Sequence, residues 1–205
     1  MPSQCKLTYF NGRGVAEPIR YLLIYLGENF EDIRVEFENW LELKPSMPFG
    51  KLPVLEIDGK KYSQSTALYR YLGNKGNISG NNDLENLHID IIADVLVDLR
   101  TAASQAVWEP DEQKKIEKKQ TFLNETLPYN LEKLEEIAKK NDGYLANKKL
   151  SWADFMFAST AENFGFQFPE SNLNEKYPTL KALKEKILSI PKIKAHIENR
   201  KSSPF

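Results

Sequence analysis

The sequence has one cysteine, two histidines and no surplus of either charge, and each scarcity removes a class of function. Cys5 is alone among 205 residues, so no internal disulfide and no multi-cysteine metal site can form, which fits a reducing, cytoplasmic setting. His88 and His196 lie far apart, and neither stands in a His-Glu-x-x-His or similar ligand spacing. Both read as surface or capping residues. The 28 basic and 29 acidic side chains nearly cancel, leaving no basic field to hold nucleic acid or anionic lipid. No apolar run approaches the roughly 18 residues that cross a bilayer, and Met1 to Lys6 lacks a basic segment followed by an apolar one. Repeats and low-complexity tracts are missing too. What is present, 41% hydrophobic residues, can fill real cores in one or two globular domains.

The order of local signals divides the chain near residue 80. In residues 1–80 a strand at Cys5 to Phe10 precedes a Gly-rich turn, Asn11-Gly12-Arg13-Gly14, and a helix at Glu17 to Leu26 with Pro18 harmless in its first turn. A strand at Glu31 to Phe37 and an irregular stretch from Trp40 to Gly50 follow. Pro53 to Ile57 and Lys61-Tyr62 pair as a hairpin through Asp58-Gly59, and a helix runs from Ser65 to Leu72. This βαβ then ββα order predicts a right-handed crossover and a mostly buried sheet. After a Gly- and Asn-rich linker, residues 81–205 read as an all-α bundle. Leu84, Leu87, Ile91, Val95 and Leu99 mark a long amphipathic helix, and further helices are signalled at 111–139, 152–164, 179–188 and 192–199, with Pro178 and Pro191 at helix starts. Ser151-Trp152-Ala153-Asp154 has the pattern of a helix N-terminal capping box.

Several residues carry chemistry beside a plainer structural reading. Tyr9 stands where a strand end meets a turn and a helix start, a place that exposes a phenol easily. Pro53 at a strand start is either a bland turn residue or a cis proline. A cis bond would turn the Leu52 backbone outward, free to pair with a peptide-like ligand. Ser65 reads as a helix N-cap, at a position that also attracts anions. Trp40 and Lys44 are a core aromatic and a solvated lysine, or a donor and a point charge for a carboxylate. Asp90, Asp94 and Asp98 form a solvated stripe or a subunit contact. Cys5 lies at a strand start, away from any helix terminus that would favour its thiolate, and is assigned to packing.

Taken together, Leu7 to Gly14, Pro48 to Leu55, Gln64-Ser65 and Leu150 to Phe155, four motifs in order across essentially the whole chain, resemble a cytosolic glutathione transferase. The sigma class, which includes haematopoietic-type prostaglandin D synthase, is the best match. The resemblance implies an α/β thioredoxin-like N-terminal domain, an all-α C-terminal domain that carries the electrophile site, a cis Pro53 and a homodimer. It places glutathione against Tyr9, Phe10, Trp40, Lys44, Gly50, Lys51, Leu52, Pro53, Gln64 and Ser65, and makes Asp98 a contact from the neighbouring subunit. The electrophile would lie in a cleft between the domains, against Phe10, Gly14, Val15, Leu96 and Trp108. Many relatives carry an arginine where Val15 stands, and Val97 interrupts the acidic cluster that binds a divalent ion in some of them, so no metal is expected. The implied activity is conjugation of glutathione to small hydrophobic electrophiles, including lipid-peroxidation aldehydes, with a peroxidase side activity. Prostaglandin endoperoxide isomerisation and a non-catalytic crystallin or ligand-carrier role are the alternatives.

Tyr9 is the expected catalytic group. A free thiol with pKa about 8.5 is only ~3% thiolate at pH 7. Lowering that pKa by about two units takes roughly 2.7 kcal/mol, within reach of one charge-assisted hydrogen bond of roughly 1.5–3 kcal/mol. A phenol, which titrates near pH 10, can donate to the sulfur without bringing a competing charge.

Overall fold

The computed structural model describes residues 4–171, 176–200 and 203. The chain clusters into two compact units: residues up to Ile78 together with those from Leu188 on, and Ser79–Ile187. The first unit begins with β1 (Cys5–Phe10), α1 (Glu17–Leu26), β2 (Phe30–Val35), α2 (Trp40–Leu43), β3 (Val54–Ile57), β4 (Lys60–Ser63) and α3 (Ser65–Lys75). The sheet order is β2-β1-β3-β4, with β1 and β2 parallel and the other neighbours antiparallel. Leu7 and Tyr9, two residues apart on one face of the central strand, are 0% and 8% exposed. That pleat alternation buries the Tyr9 ring, against the expectation of an exposed phenol. The sheet is also less covered than expected. Outer strand β4 leaves Lys60, Lys61 and Tyr62 in solvent, and charged side chains on an open edge discourage pairing with other chains. Trp40 to Gly50 is not irregular: 3-10 turns at Phe37–Asn39, Lys44–Ser46 and Pro48–Gly50 bracket α2.

The second unit is helical: α4 (Asp83–Val107), α5 (Glu112–Thr121), α6 (Leu127–Lys140), α7 (Trp152–Gln167) and α8 (Pro178–Leu188). A π-helical turn, Phe122–Thr126, separates α5 from α6 where a continuous helix was expected. Pro128 in the first turn of α6 has no N–H to give to a regular ladder, which accounts for the break. In α4 the buried face is Ile89, Ile92, Ala93, Leu96, Leu99, Ala103 and Ala106. Of the periodic set Leu84, Leu87, Ile91, Val95 and Leu99, Leu99 is buried, whereas Leu84, Leu87 and Ile91 are each at least half exposed. The capping box opens α7: Asp154 Oδ2 accepts from Ser151 N at 2.7 Å and from Ser151 Oγ at 3.0 Å, and Oδ1 accepts from Leu145 N at 3.0 Å.

The last helix, α9 (Pro191–Asn199), packs on α1. For that reason α9 groups with the first unit. His196 is part of this contact, not a simple surface residue: its Nε2 lies 3.1 Å from Glu17 Oε1.

Candidate functional site

One end of the sheet collects the residues that the sequence singles out. Phe10 pairs with Val35, Thr8 with Val54, and Val54 with Ser63. The ends of β1, β2 and β4 therefore meet the start of β3 along one edge. Tyr9 and Phe10, the Phe37–Trp40 turn, Pro53 and Gln64-Ser65 all issue from that edge.

Phe10 stacks on Phe37 at 4.8 Å between ring centroids and meets Trp40 edge-on at 5.3 Å, with Tyr9 edge-on at 5.6 Å. These aromatic pairs fix the Trp40 indole beside the strand end. Lys44 follows one helical turn later. A Cβ added to Gly50 would lie 3.3 Å from Lys44 Cε and 3.4 Å from its Cγ, so the missing side chain of Gly50 leaves room for the lysine stem. Lys44 and Lys51 are exposed, and among the described residues neither has an acidic partner. The Leu52–Pro53 peptide is cis. Leu52 is half-buried, and among the described residues its backbone N–H has no hydrogen-bond partner.

At the start of α3 the sequence assignment shifts by one residue. Gln64, not Ser65, is the N-cap, and no side chain caps the helix; Ser65 is its first residue. Gln64 adopts φ 74° and ψ 96°, a conformation that costs an L-residue roughly 1–3 kcal/mol and persists where the surroundings impose it. The first N–H groups of an 11-residue helix are left with no side-chain acceptor, which gives this end the donors and the dipole that an anion would use.

Tyr9 has a steric partner in Gly14. A Cβ at Gly14 would fall 2.5 Å from Tyr9 Oη, and Gly14 has φ +41°. Only glycine lets this turn run under the phenol oxygen without displacing it. With Tyr9 as the expected donor to a substrate thiol, loss of roughly 1.5 kcal/mol of that hydrogen bond in Gly14→Ala should lower turnover about fourfold at pH 7. Steady-state kinetics check this; unchanged turnover would show that the hydroxyl has no need of its seat. Val15 is half-buried, and its carbonyl accepts from Tyr69 Oη at 2.5 Å, tying the turn to α3.

Sequence reading missed the charges behind this turn. Gly12 O accepts from Arg20 Nη1 at 3.0 Å and from Arg34 Nη1 at 2.9 Å, and Asn11 Nδ2 donates to Glu36 Oε1 at 3.0 Å. The available signal was Glu17 and Arg20 at i, i+3 on a helix whose other residues are apolar. Cys5 stays outside the site: it is buried, and burial, helped by the Glu28 charge, pushes its thiol pKa up, the wrong direction for a nucleophile.

Three expected residues lie in the second unit, on α4 or at its end. Asp98 is exposed, Trp108 is 61% exposed, and Leu96 is 1% exposed on the packed face of α4. Leu96 thus serves the core in this structure. Among the described residues, no group of His, Cys, Asp and Glu is arranged to hold a metal ion, and no helix is long and apolar enough to cross a membrane.

The chain matches known families, sequences and structures along nearly its whole length. "Glutathione S-transferase, N-terminal domain" matches residues 5–74, and "Glutathione S-transferase, C-terminal domain" matches residues 97–200. Glutathione S-transferase 2 of Manduca sexta is 43% identical over 96% of this chain and 97% of its own length. Hematopoietic prostaglandin D synthase of Homo sapiens is 36% identical over 95% and 96%. The solved structure of prostaglandin synthase D of Nilaparvata lugens superposes with a TM-score of 0.92 at 46% identity, covering 97% of this chain and 99% of that one. With a matched sheet domain, a matched helical domain and relatives aligned nearly end to end, the chain belongs to the glutathione S-transferase family.

Proposed function

We propose that the protein binds glutathione at the Tyr9 end of the sheet, holds its sulfur as a thiolate with the Tyr9 hydroxyl, and transfers it to small hydrophobic electrophiles. The observation that carries this reading is the seat of Tyr9 Oη over Gly14. Around it lie three recognition elements for one tripeptide. The Leu52 backbone offers strand-like pairing to the central amide groups. The uncapped start of α3, at Gln64 and Ser65, receives one carboxylate, and Trp40, Lys44 and Lys51 receive the other. No metal takes part in this scheme.

In the proposed function the protein is a homodimer, a reading that an exposed face of α4 supports. Leu84, Leu87 and Ile91 form an apolar stripe that is 61%, 52% and 50% exposed, a face that a second copy would cover. Phe49, 83% exposed in a left-handed conformation with φ 52°, is a further apolar projection. In that dimer Asp98 would reach the glutathione held by the other subunit. The lone, buried thiol suits the cytoplasm.

Two assays run together test the reading: retention on immobilised glutathione, and conjugation of chlorodinitrobenzene. Retention with turnover is expected. Retention without turnover would make the protein a carrier, and failure of both would remove glutathione from the account.

A further inference from the structure

The turn that seats Tyr9 is anchored from behind by buried charge. Glu17 and Arg20 are 1% and 0% exposed, with Arg20 Nη1 2.7 Å from Glu17 Oε2. The same nitrogen donates to Gly12 O, which also accepts from Arg34. Asp32 on β2 accepts from the Nε of both arginines, at 3.1 and 2.8 Å. The other oxygen of Glu17 faces α9. His196 Nε2 lies 3.1 Å from it, and Arg200 Nη1, just past the end of α9, donates to it at 2.9 Å while also reaching Tyr21 Oη at 3.2 Å. Burial alone would raise the Glu17 carboxyl, but the His196 hydrogen bond and the Arg20 charge outweigh it and bring it down to about 2. Glu17 is therefore a carboxylate throughout the working pH range. Its partners are Arg20 from its own helix and His196 and Arg200 from a segment 179 to 183 positions away.

A buried carboxylate in such a cluster keeps its geometry only while its partners are complete, because removing one leaves charge uncompensated in a low-dielectric setting. Arg20 is shared between Glu17 and the Gly12 carbonyl, so a shift at Glu17 is passed to the turn that seats the phenol. We propose that His196 and Arg200 are positioning residues for glutathione transfer: through Glu17 and Arg20 they set the Gly12 carbonyl and with it the Gly14 seat of the Tyr9 hydroxyl. This rests on Tyr9 acting on the thiol. The competing role, a staple that only fastens α9 to α1, lowers stability and leaves the chemistry of the folded enzyme unchanged.

The test uses the full chain and the pH profile of kcat/KM for chlorodinitrobenzene at saturating glutathione, with His196→Gln and Arg200→Met made singly and together. In the double variant kcat should fall about threefold at pH 7 and about ninefold at pH 5.5 while the KM for glutathione changes no more than about threefold, and the acidic limb of the profile should move about one unit toward alkaline pH, the shift equivalent to a tenfold weaker hold on the thiolate. Arg200→Lys, which keeps a cation beside Glu17, should retain most of the activity. Should the double variant fail to fold, Arg200→Met alone is read in the same way. A lowered melting temperature with an unmoved profile and kcat overturns the proposal. Tyr9→Phe is run in parallel: its expected loss beside an unmoved double variant defeats this proposal alone, whereas undiminished turnover in Tyr9→Phe defeats the proposed use of Tyr9 and this inference with it.

Discussion

Tyr9→Phe should lose most of its conjugating activity at neutral pH and regain much of it in alkali. If the hydroxyl holds the bound thiol about two pKa units below its free value of about 8.5, roughly three-quarters of the bound glutathione is thiolate at pH 7, against ~3% without it. The expected fall in kcat is thus about 25-fold, and the KM for glutathione should change little, because the carboxylates and amides of the tripeptide are held elsewhere. Near pH 9 most of an unassisted thiol ionises by itself, so the two enzymes should converge to within a few-fold. Convergence separates this role from one in binding, since a lost binding contact depresses activity equally at both pH values. The phenyl ring preserves the edge contact with Phe10, 5.6 Å between centroids, so the change isolates the oxygen.

Asp154→Ala should be the costliest single change to the helical unit. Its carboxylate is 0% exposed and accepts from Ser151 N, Ser151 Oγ and Leu145 N. Alanine leaves two buried backbone N–H groups without acceptors, at roughly 1–3 kcal/mol each, and removes a helix cap, for a total of about 3–5 kcal/mol. In a chain of this size that lowers the melting temperature by roughly 10 °C or more. Burial raises the Asp154 carboxyl to about 6, with the three donors acting in the opposite direction. Since the folded value lies above the unfolded one, the native state holds the proton more tightly. The group's contribution is fullest below about pH 4, the unfolded carboxyl value, and is lost as pH rises through 6. The Asp154→Ala penalty should accordingly be larger at pH 5 than at pH 8. Thermal unfolding at both values checks this; a melting temperature within a degree or two of wild type would show that the box does not hold the helix.

Local chemistry made much of this legible beforehand. β1 and α1 are marked by an apolar strand, a Gly-rich turn and Pro18, and both hold to the residue. The Asp58-Gly59 turn and the Ser151–Asp154 box are likewise written in a few adjacent residues, whereas the cis bond at Pro53 came only with the family resemblance. What escaped the sequence depends on partners far along the chain. Period 3.6 reveals that α4 has apolar stripes but not which of them the fold covers: of the periodic set Leu99 joins Ile92 and Leu96 in the core, while Leu84 and Ile91 are exposed. The burial of Arg20 could not be read from α1 alone, because its partners Asp32 and Gly12 lie on other elements and His196 and Arg200 complete the set only after the chain returns. Ser65 was misplaced by one position because the cap preference favours serine, whereas the backbone turns at Gln64, with φ 74°.

The most direct measurement of the central claim is the ultraviolet titration of glutathione bound to the wild-type protein, following thiolate absorbance against pH. A phenol hydroxyl bonded to the sulfur predicts a midpoint about two units below the free value, near pH 6.5. A midpoint at about 8.5, with glutathione demonstrably bound, would contradict it.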